Sequence, residues 1–280
     1  MEINGKTKVY GIIGNPVEHT RSPLIHHTLA QALGIDMVYV PFHVKEGQLE
    51  AAIKGAYGLN ICGMNVTVPY KNAVIPFLAD IDTRAETMGS VNTLVRDKNG
   101  YVGYNTDMSG LWNAMKSDGV SIENEEVIIL GAGGVGRAVT YMCAYSAEKA
   151  ADVAAEVNHR LKKDCVTAMA LSDYKKLLTG AENRYVVMQC TSVGLAPNVE
   201  DAPIEDGDFY LYVKYGYDLI YTPWETKFMQ LVKNSGGMAY NGLKMLLYQG
   251  IDAFELWTGC KVSKEISENV YQKLRERTGN

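Results

Sequence analysis

Glu125-Glu126-Val127-Ile128-Ile129-Leu130-Gly131-Ala132-Gly133-Gly134-Val135-Gly136 is the stretch that decides the fold. Its apolar run, Glu125–Leu130, reads as a buried strand. It passes straight into the spacing Gly-x-Gly-x-x-Gly, and a helix from about Gly134 to Tyr145 follows. Strand, glycine loop and helix in that order open a dinucleotide-binding unit. Gly131 permits the tight turn, Gly133 lets the backbone approach a pyrophosphate, and Gly136 lets helix and strand pack closely. Ala132, Gly134 and Val135 complete the cradle, where the helix N-terminus offers free N–H groups and a positive dipole end. The plainer alternative, a structural turn between strand and helix, needs fewer glycines.

C-terminal to this loop, Tyr185–Cys190, Tyr212–Tyr221 and Met238–Tyr240 read as further strands of the same sheet. Leu243–Phe254 and Ser263–Arg277 read as closing helices. N-terminal to it, residues 8–13 read as a strand closed by Gly14-Asn15-Pro16. A helix starts with Ser22 as N-cap and Pro23 at its first position, and stops at Gly34. Val38–Val44 is a second strand, Gln48–Tyr57 a helix and Gly63–Val68 a third strand, and Pro69-Tyr70-Lys71-Asn72 turns into another helix. Val91–Arg96 and Tyr101–Tyr104 form a hairpin across Asp97-Lys98-Asn99-Gly100, with Asn-Gly as the turn signal. This alternation gives an α/β domain of about 105 residues. Residues 110–118 form a helix leading out of it.

The chain has 280 residues, 47% of them hydrophobic, and a formal net charge of -5. That size suits two domains better than one. The mild acidity and the lack of a basic block exclude nucleic acid as a natural partner. No apolar run approaches the roughly 20 residues that span a bilayer, and the N-terminus lacks a signal-peptide core. The expected location is the cytoplasm. Five cysteines without paired spacing argue against disulfides and against a zinc site, so no metal is expected.

Three polar segments lie ahead of the loop: Gly63-Met64-Asn65-Val66-Thr67-Val68-Pro69-Tyr70-Lys71, Gly89-Ser90-Val91-Asn92-Thr93 and Gly103-Tyr104-Asn105-Thr106-Asp107. An ammonium (Lys71) beside a carboxylate (Asp107), ringed by Asn and Thr, is equipment for moving a proton on and off a hydroxyl. With a nucleotide loop behind it, the pair suggests alcohol–ketone oxidoreduction. Two plainer readings stay open: Lys71 as a solvated residue at a helix start, and Asp107 as the N-cap of the helix at 109–118.

Taken together with Gly14-Asn15-Pro16, His19-Thr20-Arg21-Ser22-Pro23, Thr191-Ser192-Val193-Gly194, Asp218-Leu219-Ile220-Tyr221-x-Pro223 and Gly242-Leu243-x-Met245-Leu246-x-x-Gln249-Gly250, these segments resemble the shikimate dehydrogenases and their quinate/shikimate relatives. The resemblance covers nearly the whole chain. It implies two α/β domains with the active site in the cleft between them: a substrate-binding catalytic domain of residues 1–107 plus 242–280, and a Rossmann-type NADP-binding domain of residues 108–241. It implies reversible NADP-linked reduction of 3-dehydroshikimate to shikimate, with NAD as the alternative cofactor, by a monomer or homodimer. By match, Lys71 and Asp107 are catalytic. Thr20, Ser22, Thr67, Asn92, Tyr221 and Gln249 line the substrate site. The residues Gly131 to Gly136 and Thr191 lie along the cofactor, and Ile220, Gly242 and Met245 sit near the nicotinamide.

The sequence departs from the family pattern in three places. The usual Ser-x-Ser is Thr20-x-Ser22, which narrows the carboxylate end and leaves quinate open as a substrate. The second Rossmann strand and its Asn-Arg-Thr segment have no counterpart; about ten residues are missing after Ala147 relative to that pattern. Either the chain has lost the strand, or the sequence as read skips a mobile stretch. Losing an interior parallel strand is costly, which favours the second explanation. A true loss would leave a weakly catalytic, substrate-binding relative. Asp152 stands at the distance of a ribose acid but reads as a helix-face residue, as do Arg160, Lys162 and Lys163. Finally, Lys244 and Gln189-Cys190 stand where relatives have small residues and Asn-Ala, and are expected to tune packing.

Overall fold

Val9-Tyr10-Gly11-Ile12-Ile13 is apolar on both faces, as a strand must be when parallel neighbours and covering layers enclose it. It forms the middle of β1 (Lys8–Gly14), and Tyr10, Ile12 and Ile13 are buried. In the computed structural model, residues 2–123, 125–131, 133, 136, 139–140, 154–155, 158–159, 166–178 and 184–278 are described. Two compact units divide the chain: Met1–Gly110 with Leu246–Leu274, and Leu111–Met245 with Arg275–Asn280.

The first unit is built on a six-stranded sheet. β1 pairs in parallel with β2 (Met37–His43) on one side and β3 (Gly63–Val66) on the other. β3 then pairs antiparallel with β5 (Thr93–Asp97), and β5 antiparallel with β6 (Gly100–Tyr104). The short β4 (Asp80–Ile81) lies parallel to β6, giving the order β2-β1-β3-β5-β6-β4. The expected hairpin is present, but its turn is Lys98–Asn99, and Gly100 opens β6 at φ 147°. The strands at Gly63 and Thr93 are shorter at the motif side than the pattern predicts. Beyond the strand ends the backbone bonds continue: the Thr67 N–H donates to the Ile13 carbonyl at 2.9 Å and the Asn92 N–H to the Tyr104 carbonyl at 3.0 Å.

Helix α1 (Ser22–Leu33) buries Ser22, Ile25, His26 and Leu29 on one face, the i, i+3, i+4, i+7 stripe of a packed helix. Gly34 ends it in the left-handed conformation at φ 65°. Ser22 is not its N-cap: Arg21 holds that position, and Ser22 is the first helical residue. The Thr20 hydroxyl accepts the Ser22 N–H at 3.2 Å, so Thr20 does the local capping. Helices α2 (Leu49–Gly58), α3 (Tyr70–Ala73) and α4 (Thr83–Met88) complete the cover, and Ile53, Met64, Val66, Val74, Leu94 and Tyr101 form the core. Helix α5 (Asp107–Ser117) leads into the second unit. Asp107 is itself helical rather than the cap of a helix at 109–118.

In the second unit, β7 (Val127–Leu130), β8 (Tyr185–Gln189), β9 (Val213–Asp218) and β10 (Met238–Tyr240) make an all-parallel sheet in the order β10-β9-β8-β7. The buried runs Ile128-Ile129-Leu130 and Val186-Val187-Met188 are its centre. Among the described residues β7 has one strand neighbour, and residues 141–153 of the stretch where the sequence departs from its relatives lie outside them, as do Arg160, Lys162 and Lys163. Lys244 finds a fixed place in this unit. Its Nζ donates to Asp118 Oδ1 at 2.5 Å, and the Tyr217 hydroxyl donates to Asp118 Oδ2 at 3.0 Å.

Candidate active site

Two short turns face each other in the first unit. Pro69 precedes the single turn of α3, and the Val91 N–H donates to the Lys71 carbonyl at 2.8 Å, anchoring that turn beside the approach to β5. The Asp107 N–H is taken by the Asn105 carboxamide at 3.0 Å, which frees the Asp107 carboxylate from capping its own helix. Lys71 Nζ donates to Asp107 Oδ2 at 2.5 Å, with the two side chains 12% and 7% exposed. A charged pair so nearly dry is held by geometry and further hydrogen bonds rather than by its attraction alone.

Asn92 supplies those bonds. Its Nδ2 donates to Asp107 Oδ1 at 2.9 Å and to Thr106 Oγ1 at 3.1 Å. Its Oδ1 accepts the Thr106 N–H at 2.8 Å and the Thr93 hydroxyl at 2.9 Å. Both ends of the Asn92 carboxamide are thus engaged within the protein, and a ligand hydroxyl reaching it must take over one of these bonds. Asn65 backs this layer: its Nδ2 donates to the Asn92 carbonyl at 3.2 Å and to Thr93 Oγ1 at 3.1 Å.

Thr20 and Ser22 lie together at the start of α1, their hydroxyls 3.1 Å apart. Thr67 follows β3, and its N–H donates to the Ile13 carbonyl at 2.9 Å. A Cβ on Gly14 would sit 2.5 Å from Thr67 Cγ2, so glycine there makes room for that side chain. Gln249 lies on the helix Leu243–Thr258, with Nε2 donating to the Leu246 carbonyl at 2.8 Å. A Cβ on Gly110 would lie 2.7 Å from both the N and Cβ of Gln249, so this glycine lets α5 and that helix cross closely, one turn after Asp107. Thr20, Ser22, Thr67, Lys71, Asn92, Asp107 and Gln249 all belong to the first unit, and Tyr221 belongs to the second.

The glycine loop sits where β7 ends. Gly131 has φ 103°, a conformation that favours glycine, and a Cβ on it would meet Thr191 Cγ2 at 2.7 Å. A Cβ on Gly136 would lie 2.2 Å from the Gly131 carbonyl oxygen, whereas Gly133 has open space beside it. Turn, close packing and an open flank fit a bound pyrophosphate. Ala132, Gly134 and Val135 lie outside the described residues. Gln189 braces the loop that follows it: its Oε1 accepts the Thr191 N–H at 2.6 Å and its Nε2 donates to the Val193 carbonyl at 2.9 Å. Ile220 and Met245 are buried, and the Gly242 N–H donates to the Ile220 carbonyl at 3.0 Å. Asp218 stands two residues before Ile220, in the quoted motif but without a role assigned there. Its carboxylate accepts the Ile220 N–H at 2.9 Å and the Thr226 hydroxyl at 2.5 Å. Burial pushes its pKa up from 3.8 to about 6, against the pull of those two bonds.

Residues 12–94 match the family model of the shikimate dehydrogenase substrate binding domain, and residues 242–266 that of the shikimate 5'-dehydrogenase C-terminal domain. Shikimate dehydrogenase (NADP(+)) of Carboxydothermus hydrogenoformans is 39% identical over 268 residues, covering 92% of this chain and 94% of that protein. A crystal structure of a shikimate dehydrogenase in complex with NADP+ superposes with a TM-score of 0.89 at 33% identity, covering 98% of this chain and 97% of that one. Another, shikimate 5-dehydrogenase from Listeria monocytogenes in complex with shikimate and NAD, gives 0.87 at 27% identity, with 98% of each chain covered. Fold and similarity define a two-domain, Rossmann-containing α/β oxidoreductase. Within that class the chain belongs to the shikimate dehydrogenase family.

Proposed function

We propose that the protein is an NADP-dependent shikimate dehydrogenase, reducing 3-dehydroshikimate reversibly to shikimate, with NAD as the alternative cofactor. The observation that carries the reading is the nearly dry Lys71–Asp107 pair, held by Asn92. Gly131, Gly133, Gly136 and Thr191 would hold the dinucleotide, which when bound would supply or take a hydride at the ring carbon. Lys71 as ammonium gives its Nζ proton to the oxygen left at that carbon; in the reverse direction the neutral amine takes the proton back. Asp107 accepts from Nζ throughout and keeps the amine aimed.

Thr20 and Ser22, at the α1 N-terminus, suit the substrate carboxylate. Thr67, Asn92 and Gln249 donate and accept as ring hydroxyls require, and Tyr221 offers a further hydroxyl. Among the described residues Cys62 and Cys260 carry free thiols, which supports a reducing compartment such as the cytoplasm. No described helix is long and apolar enough to cross a membrane. The expected assembly is a monomer or homodimer.

Initial rates with shikimate or quinate, each with NADP or NAD, test the reading. Highest turnover with shikimate and NADP is expected. A preference for quinate would move the Thr20 methyl from tolerated to selective. Shikimate binding with no turnover on any pair would overturn the enzyme assignment in favour of a binding protein.

A further inference from the structure

Tyr39 is a strand residue of β2 with no place in the catalytic reading, yet its hydroxyl is the outer end of the hydrogen-bond chain that reaches Asp107. It donates to Asn65 Oδ1 at 2.7 Å. Asn65 Nδ2 donates to Thr93 Oγ1 at 3.1 Å, Thr93 donates to Asn92 Oδ1 at 2.9 Å, and Asn92 Nδ2 donates to Asp107 Oδ1 at 2.9 Å. Tyr39, Asn65, Thr93 and Asn92 are each 4% exposed or less, so water is a poor substitute for any link.

The chain has a single polarity, and backbone groups set it. The Thr106 N–H can only donate, so the atom of Asn92 facing it at 2.8 Å is the oxygen, and Nδ2 must face Asp107. The Asn92 carbonyl can only accept, so the atom of Asn65 facing it at 3.2 Å is nitrogen. That leaves Asn65 Oδ1 pointing away from Asp107, and Tyr39 is the donor that meets it. The ring of Tyr39 has little freedom to leave. His26, itself buried, stacks on it with centroids 4.2 Å apart, and Trp257 lies 6.1 Å away. Burial keeps His26 neutral, its pKa lowered to about 3, so the stack carries no charge.

We propose that Tyr39 is a positioning residue for the reaction, acting through Asn65, Thr93 and Asn92 to hold the Asp107 carboxylate against Lys71. The inference rests on Lys71 and Asp107 carrying the proton transfer. Without the Tyr39 hydroxyl, the buried Asn65 Oδ1 loses its donor. The cheapest relief is rotation of that carboxamide, which withdraws its N–H from Thr93 and lets Thr93 and Asn92 shift. The cost then falls on the aim of the lysine, which matters in the transition state more than in substrate binding.

The test compares Tyr39→Phe, Thr93→Val, their double variant and Tyr101→Phe by steady-state kinetics with shikimate and NADP. Tyr101 is the control, a buried tyrosine of the same sheet whose hydroxyl donates to the Ile61 carbonyl, off the chain. Turnover of Tyr39→Phe and of Thr93→Val falls roughly 10- to 100-fold, with KM for shikimate within about threefold. The double variant is no slower than the slower single, because both cut one chain. Tyr101→Phe keeps parental turnover. Parental turnover in Tyr39→Phe, multiplied losses in the double variant, or an equal loss in Tyr101→Phe overturns the proposal. Lys71→Ala, run alongside, separates the two readings: if it too keeps its turnover, the proton-transfer assignment itself is wrong.

Discussion

Lys71 and Asp107 show what a buried charged pair is for when stability alone would not justify it. Two ions taken out of water recover little net free energy from each other, and apolar replacements often do as well. A lysine kept 12% exposed against a 7% exposed carboxylate is therefore better explained by function. Lys71→Ala should lower turnover roughly 10²- to 10⁴-fold, the usual worth of one proton-transfer group, and change KM for shikimate little. Near-parental turnover in steady-state assays would contradict the role. The same variant leaves the Asp107 carboxylate buried without its ion-pair partner, so it should also unfold more easily in urea. Asp218 makes a second residue-scale case, with the opposite balance. Its pKa is raised to about 6 in the fold against 3.8 ordinarily, so it holds its proton more tightly folded than unfolded. That contribution to stability is present at low pH and is lost as pH rises from about 4 to about 6. Asp218→Asn should flatten the fall between those limits and be the more stable form at pH 7, by up to roughly 3 kcal/mol. Urea melts at pH 4.5 and pH 7 check it; a variant with the parental pH slope would assign the fall to other groups.

Helix crossings and strand ends set these residues in place, and here the pattern of glycines carries information. Gly110→Ala brings a Cβ to 2.7 Å from the backbone N of Gln249, which cannot turn aside as a side-chain tip would. Helix α5 and the helix Leu243–Thr258 must move apart, at a cost of roughly 1–3 kcal/mol. Gln249 then moves relative to Asp107, so KM for shikimate should rise more than turnover falls. A melting curve and KM like the parent's would show the crossing to be looser than drawn. Much at this scale was legible in the sequence. The run into Gly131, the stop at Gly34 and the polar segments around Lys71 and Asp107 each carry a local signal, because turn and cap chemistry is written in neighbouring residues. The role of Ser22 was not legible: a serine before proline looks like a cap, and only the fold shows that the Thr20 hydroxyl takes the N–H. Nor was Tyr39. A tyrosine in a strand is ordinary core until residues 26 positions later in the chain place Asn65 against its hydroxyl. Contacts of that sequence separation leave no periodicity to read.

For the whole molecule, the proposed function divides two binding tasks between the compact units. Of the residues assigned to the substrate, Thr20, Ser22, Thr67, Asn92 and Gln249 are in the first unit, and the glycine loop is in the second. A defect confined to the loop should therefore separate the two affinities. Gly136→Ala is the sharpest such change, because its Cβ would lie 2.2 Å from the Gly131 carbonyl oxygen, a backbone atom at the turn. The strand–helix spacing must open, and the N–H groups of the helix start move off the pyrophosphate position. Affinity for NADP should fall at least tenfold, equivalent to about 1.4 kcal/mol. Calorimetric affinity for shikimate alone should stay within about twofold, since Tyr221 is the single assigned substrate contact of the second unit. Parallel loss of both affinities would mean that Tyr221 and its loop carry more of the substrate site than the first unit does. Loss of NADP binding alone places recognition of the substrate on the first unit, where Thr20, Ser22, Thr67, Asn92 and Gln249 lie.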